Sequence, residues 1–281
     1  MRTVTKISQL TVAAALGLSL AACGSSSSSG GSASAGAASK ASQSTGSATG
    51  GSPETSSATS SAGASSSAAG GDQAGVPDAK TLVHEARAAY GSAKSAKLHA
   101  DMTDTGQKEV IDIHGAIDGT NQEVTIATAD EGTATIRTIT RTSNFIKGDK
   151  TFWTKSSGAP AATAGLLADK WVVAPPSTSK GLDELSIKAI LDSVMGPKTV
   201  SDAKLATAKT AKSTVDGKDV YVITTTKGNT ITISADKKYV LEVNSEKGTS
   251  SSKGKMTLDG WDAQPKVDTP PNPIKVPSGA K

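Results

Sequence analysis

The chain has 281 residues, a formal net charge of +4, one Cys, three His and only 3% aromatic residues. A single Cys excludes a disulfide framework and a Cys-rich metal site, and the Lys and Arg form no dense block of the kind that binds nucleic acid. Residues 24–75 hold 42 Ser, Gly or Ala in 52 positions. Such a segment cannot bury a core, so about residues 78–265 remain as one foldable domain.

The N-terminus reads as a secretory leader over residues 1–22. Arg2 and Lys6 precede the apolar stretch Ile7–Leu20, which at about 14 residues is too short to span a ~30 Å hydrocarbon core as a helix. Leu20-Ala21-Ala22-Cys23 resembles the bacterial lipobox, which implies cleavage before Cys23 and acylation of its sulfur. The alternative is an ordinary cleaved leader with an incidental Cys. Two or more acyl chains would anchor the protein stably to a membrane, where one would not. Removing Arg2 and Lys6 lowers the net charge to +2, and Lys40, Glu54 and Asp72 give the linker −1, leaving about +3 for the rest. That modest excess suits a protein held near anionic lipid. Residues 23–77 are expected to form a disordered tether with an r.m.s. reach of roughly 40 Å.

The domain opens with a helix over Asp78–Ser92, where Leu82, Val83, Ala86, Ala89 and Tyr90 recur at helical spacing and Asp78 can cap. Strands follow at Lys97–Asp104 and Glu109–Ile117. Pairing Asp104 with Glu109 puts Leu98, Ala100 and Met102 on one face with Ile111 and Ile113. It puts His99 opposite His114 and Asp101 opposite Asp112 on the other face. Further strands are expected at Asn121–Thr128, Thr133–Arg141, Asn144–Lys147 and Lys150–Thr154, with Gly148-Asp149 as the turn between the last two. Ala161–Ala168 reads as a short helix, Trp171–Val173 as a short strand stopped by Pro175-Pro176, and Leu182–Met195 as a second main helix. The last third is a meander of strands at Ala203–Thr214, Asp219–Thr226, Thr230–Ala235, Tyr239–Ser245 and Lys253–Trp261. Pairing Thr226 with Thr230 gathers Tyr221, Ile223, Ile231, Ile233, Leu241 and Val243 on one apolar face. Residues 266–281 form a Pro-rich extended tail expected to lie outside any sheet.

The fold class is therefore α+β. A curled, incompletely closed antiparallel sheet of about 11–12 strands, a half-barrel, is covered by helices. Scarce aromatic filler leaves room for a hollow between sheet and helices.

This order of elements resembles the LolA/LolB-type fold, and more closely the actinobacterial LprG-type lipoproteins. The resemblance is carried by the Cys23 motif, the polar linker and the first helix, then by the Leu98-His99-Ala100 strand and the Phe145–Trp153 segment. The Lys170–Val173 strand, the mid-chain helix, the Ile231–Val243 hairpin and Asp259-Gly260-Trp261 before a Pro-rich end complete it. It implies a membrane-anchored extracytoplasmic lipoprotein that binds or carries an acylated lipid or other hydrophobic ligand. The ligand face would be Leu98, Ala100, Met102, Ile111, Ile113, Tyr221, Ile223, Ile231, Ile233, Leu241 and Val243. The alternative on the same fold is an envelope interaction or sensory lipoprotein whose partner is a protein.

No His-Glu-x-x-His, phosphate loop or nucleophile elbow occurs in a fitting context, so neither catalysis nor a cofactor is expected. His99, His114, Asp101 and Asp112 are the one polar cluster with geometry. They could hold a cation, but an ordinary solvated face is the expected reading and no metal is expected. Lys204, Lys209 and Lys212 on one long strand could face anionic head groups or simply protect a sheet edge. Trp153, Trp171 and Trp261 could line a cavity or fill a core.

Overall fold

The computed structural model describes residues 75–104, 106–175, 179–245 and 253–275. The expected leader, Cys23, nearly all of the tether, Pro176, Thr178 and residues 276–281 lie outside them. Eleven strands form one antiparallel sheet. They are β1 (Ser95–Asp104), β2 (Gln107–Ala116), β3 (Gln122–Thr128), β4 (Gly132–Thr140), β5 (Ser143–Gly148), β6 (Trp171–Val173), β7 (Lys209–Val215), β8 (Lys218–Thr224), β9 (Thr230–Ser234), β10 (Val240–Asn244) and β11 (Lys253–Asp259). Their order across the sheet is β6-β5-β4-β3-β2-β1-β11-β10-β9-β8-β7. The chain thus meanders outward from β1 to β6, crosses through a helical segment to the far edge at β7, and meanders back to close beside β1. The sheet remains open, with β6 and β7 as its edges.

The faces follow the expected alternation, although both hairpin registers differ from expectation by two residues. Asp104 pairs with Gln107, and Thr224 pairs with Thr230. A shift of two keeps every side chain on its face. Leu98 therefore lies opposite Ile113 and Ala100 opposite Ile111, while Tyr221 lies opposite Ile233 and Ile223 opposite Ile231. The cross-strand neighbours do change. His99 faces Asp112, Lys97 faces His114 and Asp101 faces Val110, so the expected opposition of like groups does not arise. In β10 a bulge between Val240 and Glu242 reverses the alternation. Val240 rather than Leu241 comes opposite Ile233, and Leu241 is the extra, half-buried residue of the bulge.

Two expected strand assignments and the expectation for the tail are corrected. Lys150–Thr154 is helical, as α2 (Lys150–Lys155). Asp149 is its N-cap, accepting from the Phe152 backbone N–H at 2.7 Å, rather than a hairpin turn residue. One helical turn lets the adjacent Phe152 and Trp153 both reach the interior, which alternation along a strand would forbid. The Phe152 ring occupies the space where a side chain on Gly148 would stand, so Gly148 ends β5 where only glycine fits. The expected Ala203–Thr214 strand divides into a short helix, α6 (Asp202–Leu205), and the edge strand β7. The tail joins the sheet at one point. Ile274 bridges Val172 in parallel, donating to the Trp171 carbonyl at 2.7 Å and accepting from the Val173 N–H at 2.9 Å.

The remaining helices are α1 (Ala79–Ser92), α3 (Ala161–Leu167), α4 (Ser179–Leu182) and α5 (Ile187–Met195). Asp78 caps α1, accepting from the Thr81 N–H at 3.0 Å. The expected Leu182–Met195 helix is interrupted. A 3₁₀ turn at Asp183–Leu185 leads to Ser186, whose extended backbone and hydroxyl cap a new helix at Ala189 N–H. Leu82, Val83, Ala86 and Tyr90 of α1, Ile187, Ile190, Leu191 and Met195 of α5, and Phe152 and Trp153 of α2 share one apolar core with the inward face of the sheet. No helix among the described residues is long and apolar enough to cross a membrane.

Candidate functional site: the inward face of the sheet

Register places the inward side chains in rows running across the strands. One row is Leu98, Ile113, Val124, Ile136, Ile146 and Val172, from β1 out to β6. The next runs in both directions from Ala100. It passes through Ile111, Ile126 and Ala134 on one side, and through Met256, Val243, Ile231 and Ile223 on the other. Both rows are aliphatic throughout, and the opposite face carries Lys97, His99, Asp112, Glu123, Arg137 and Thr257. This separation is what a half-wet antiparallel sheet requires.

Of the expected ligand-face residues, Leu98, Ala100, Ile111, Ile113, Ile223, Ile231 and Ile233 are buried in the core. Met102, Tyr221 and Val243 are half-buried against it, and Leu241 stands apart at the bulge. Val124, Ile136 and Ile146 belong to the same surface and were missed. Their signal was present in the alternation of Gln122–Thr128 and Gly132–Thr140. The helices lie directly on these rows, so the inward face is closed over by side chains.

The cover comes in two parts. One is the α2–α3 unit over β4 and β5, held by Trp153, whose indole N–H donates to the Gly148 carbonyl at 3.1 Å. The other joins α1 to α5 and α6 through polar latches. The Arg87 guanidinium donates to the Met195 carbonyl at 2.8 and 2.7 Å and to the Val200 carbonyl at 2.5 Å. The Tyr90 hydroxyl donates to Asp192 at 3.0 Å, and burial, reinforced by that carboxylate, pushes the phenol well above its ordinary range. Asp202 receives His84 at 2.9 Å and Lys80 at 3.0 Å. Together these partners hold its carboxyl below the usual carboxylate range.

At the open ends of β1, β2 and β11 lies a groove of about 330 Å³, lined by Asp101, Met102, Thr103, Lys108, Glu109, Val110, Lys253 and Gly254. Met102 touches both the groove and the core, so the groove reaches the edge of the apolar rows. Burial, with Glu131 nearby, raises the Glu109 carboxyl above its ordinary value.

His99 sits on the outer face between Asp112 at 2.7 Å and Asp101 at 3.3 Å. The Asp112 hydrogen bond is the main cause of a raised imidazole pKa. His114 is elsewhere in the register, and among the described residues no group of three or more His, Cys, Asp or Glu is placed to hold a metal ion. Lys209 and Lys212 lie on the edge strand, Lys212 paired with Asp219 at 2.7 Å, whereas Lys204 is in α6. The three tryptophans separate by role. Trp153 is core, Trp171 lies on the outer side between Arg137 and Lys147, and Trp261 stacks on Tyr239 with ring centroids 4.6 Å apart.

No family model and no curated protein matches the chain. Solved structures do match. The lipoprotein LppX of Mycobacterium tuberculosis is 15% identical, with a TM-score of 0.38 over 67% of this chain and 99% of that one. LprF from Mycobacterium bovis is 10% identical, with a TM-score of 0.40 over 69% and 96%. A LolA superfamily protein from Nitrosomonas europaea is 8% identical, with a TM-score of 0.20 over 70% and 96%.

Proposed function

We propose that this chain is a non-enzymatic, extracytoplasmic lipoprotein, anchored through acylated Cys23, that takes an acyl chain or similar apolar ligand between the sheet and its helices. The observation that carries this is the aliphatic inward face beneath a cover made of two separate helical parts. A face so broad, covered by pieces rather than by one packed layer, can admit a chain when one part lifts. Its length fits. From Met102 at the groove to Ser95 is seven residues, roughly 23 Å at about 3.3 Å per residue, against roughly 15 Å for one leaflet of a ~30 Å hydrocarbon core. The driving force is apolar area removed from water, about 25 cal/mol per Å². Because the helices now occupy the face, a ligand must displace part of the cover, and α3 and the α4–α5 segment, interrupted at Ser186, are the candidate parts.

The closed interior favours a second reading, in which the ligand is an envelope protein bound at the open β7 edge. Native mass spectrometry of the Cys23→Ser protein lacking residues 1–22, secreted from a related host and extracted with organic solvent, separates the two. A stoichiometric added mass that extracts as lipid supports the carrier. A bare protein mass, with no later uptake of a fluorescent fatty acid, sinks it and leaves the protein partner.

A further inference from the structure

One end of the inward face is not apolar. Beyond the Leu98–Val172 row, the next row comprises Gly115, Gln122, Thr138 and Asn144 on four adjacent strands. Gln122 is 1% exposed and Thr138 5% exposed. The Gln122 Oε1 and Thr138 Oγ1 atoms are buried and have no hydrogen-bond partner among the described residues. Buried polar atoms are nearly always paired, because an unmade bond there forfeits the hydration the atom had in the unfolded chain. Two such atoms side by side, at the end of an otherwise aliphatic surface, mark a place where a hydrogen-bonding group belongs. A cavity of about 10 Å³ is lined in part by Gly119, Thr138, Arg141 and Asp183, and a Cβ on Gly119 would stand 3.5 Å from the Gln122 side-chain amide. That is room for one water-sized oxygen.

We propose that this pocket is a head-group site for a single hydroxyl of a neutral amphiphile, whose chain follows the strand direction across the aliphatic rows toward the Met102 groove. The proposal rests on the apolar-ligand function above and specifies its ligand class. A hydroxyl can donate to Gln122 Oε1 and accept from the Thr138 hydroxyl, satisfying both with one oxygen. The charged rim argues against an anion. Asp118 and Asp183 outnumber Arg141 around the cavity, and Asp118 is already engaged by the Thr120 N–H at 3.0 Å and hydroxyl at 2.7 Å.

The test compares dodecanol with dodecyl methyl ether, which has the same chain but no donor, in displacing a fluorescent fatty acid from the Cys23→Ser full chain. Dodecanol is expected to bind about tenfold more tightly, the worth of one buried hydrogen bond, and dodecanoate no better than the ether. In the near-isosteric Gln122→Met/Thr138→Val variant, dodecanol should fall to the level of the ether while the ether itself is unchanged. Equal affinity of the two ligands for the parent protein overturns the head-group site but leaves the apolar function standing. So does a preference that survives in the variant. Failure of both ligands to bind removes that function and this proposal together. The parent comparison needs no variant, so poor folding of the double substitution does not blunt the test.

Discussion

Replacing Arg87 by Met keeps the aliphatic stem but deletes the fork that ties α1 to the end of α5. Three hydrogen bonds are lost, two to the Met195 carbonyl and one to the Val200 carbonyl. Hydrogen bonds to a charged group contribute about 1.5–3 kcal/mol each in net terms. The guanidinium is only part-buried and its three bonds share one charge, so their sum is well below three times that range. About 3 kcal/mol is the reasoned loss, including the favourable placement of a cation at a helix C-terminus. For a domain of this size 1 kcal/mol moves the midpoint by roughly 2–4 °C, which gives a fall of roughly 6–12 °C. Arg87→Lys keeps the charge without the planar fork and should recover less than half of it. Thermal unfolding by circular dichroism reads the midpoint, and amide hydrogen exchange reads where the protein opens. Exchange should quicken in α1 and α5 before it does in β1 and β2. A midpoint within about 2 °C of the parent, with unchanged exchange in α1, would refute the view that this latch holds the cover down.

Gly148→Ala would drive a methyl group into the Phe152 ring and should cost about 1–3 kcal/mol in urea unfolding; an unchanged midpoint would show that α2 yields freely. Asp149→Ala removes the acceptor of both the Phe152 and Thr133 backbone N–H groups, at 2.7 and 2.8 Å. It should destabilise by about 1–2 kcal/mol, with Asp149→Asn recovering most of that. His99 should titrate above its ordinary value of 6.5 when followed by NMR. A raised folded value means that its contribution is present in full below about pH 6.5 and fades as pH rises through the folded pKa. Asp112→Asn should bring the titration back down, and a His99 midpoint indifferent to that change would contradict the pairing.

Much of the fold was legible because its dominant signal has a period of two. The Asp104–Glu109 and Thr226–Thr230 pairings were each two residues out, yet Leu98, Ala100, Ile111, Ile113, Ile223, Ile231 and Ile233 still landed on the buried face. What alternation could not convey was the identity of cross-strand neighbours, and the His99–His114 cluster depended on that. Segments governed by single capping residues were also misread. Thr151–Thr154 carries two aromatics and two Thr, which favour strands, and the Asp149 cap outweighed that preference once the helix could bury both aromatics. The β10 bulge left no mark in the local pattern, since Leu241 and Val243 alternate as well as any strand residues. The polar row was hidden for a different reason. Gln122, Thr138 and Asn144 lie far apart in the chain and share nothing until the sheet pairs them.

The two edges of the sheet are unequal. Residues around Ile274 lie along β6, taking up the Val173 N–H and the Trp171 carbonyl. Pro271 and Pro273 precede that contact without backbone donors of their own, so the covering segment is a poor template for another strand. On the far side β7 is exposed along nearly its whole length. Growth of sheets into a fibre requires every unit to accept a neighbour on both sides. A unit with one blocked side can take one neighbour and then stops, so copies of this domain could pair through β7 but would not extend into a fibre. Pro271 and Pro273 thus act as a chain terminator in the polymer sense.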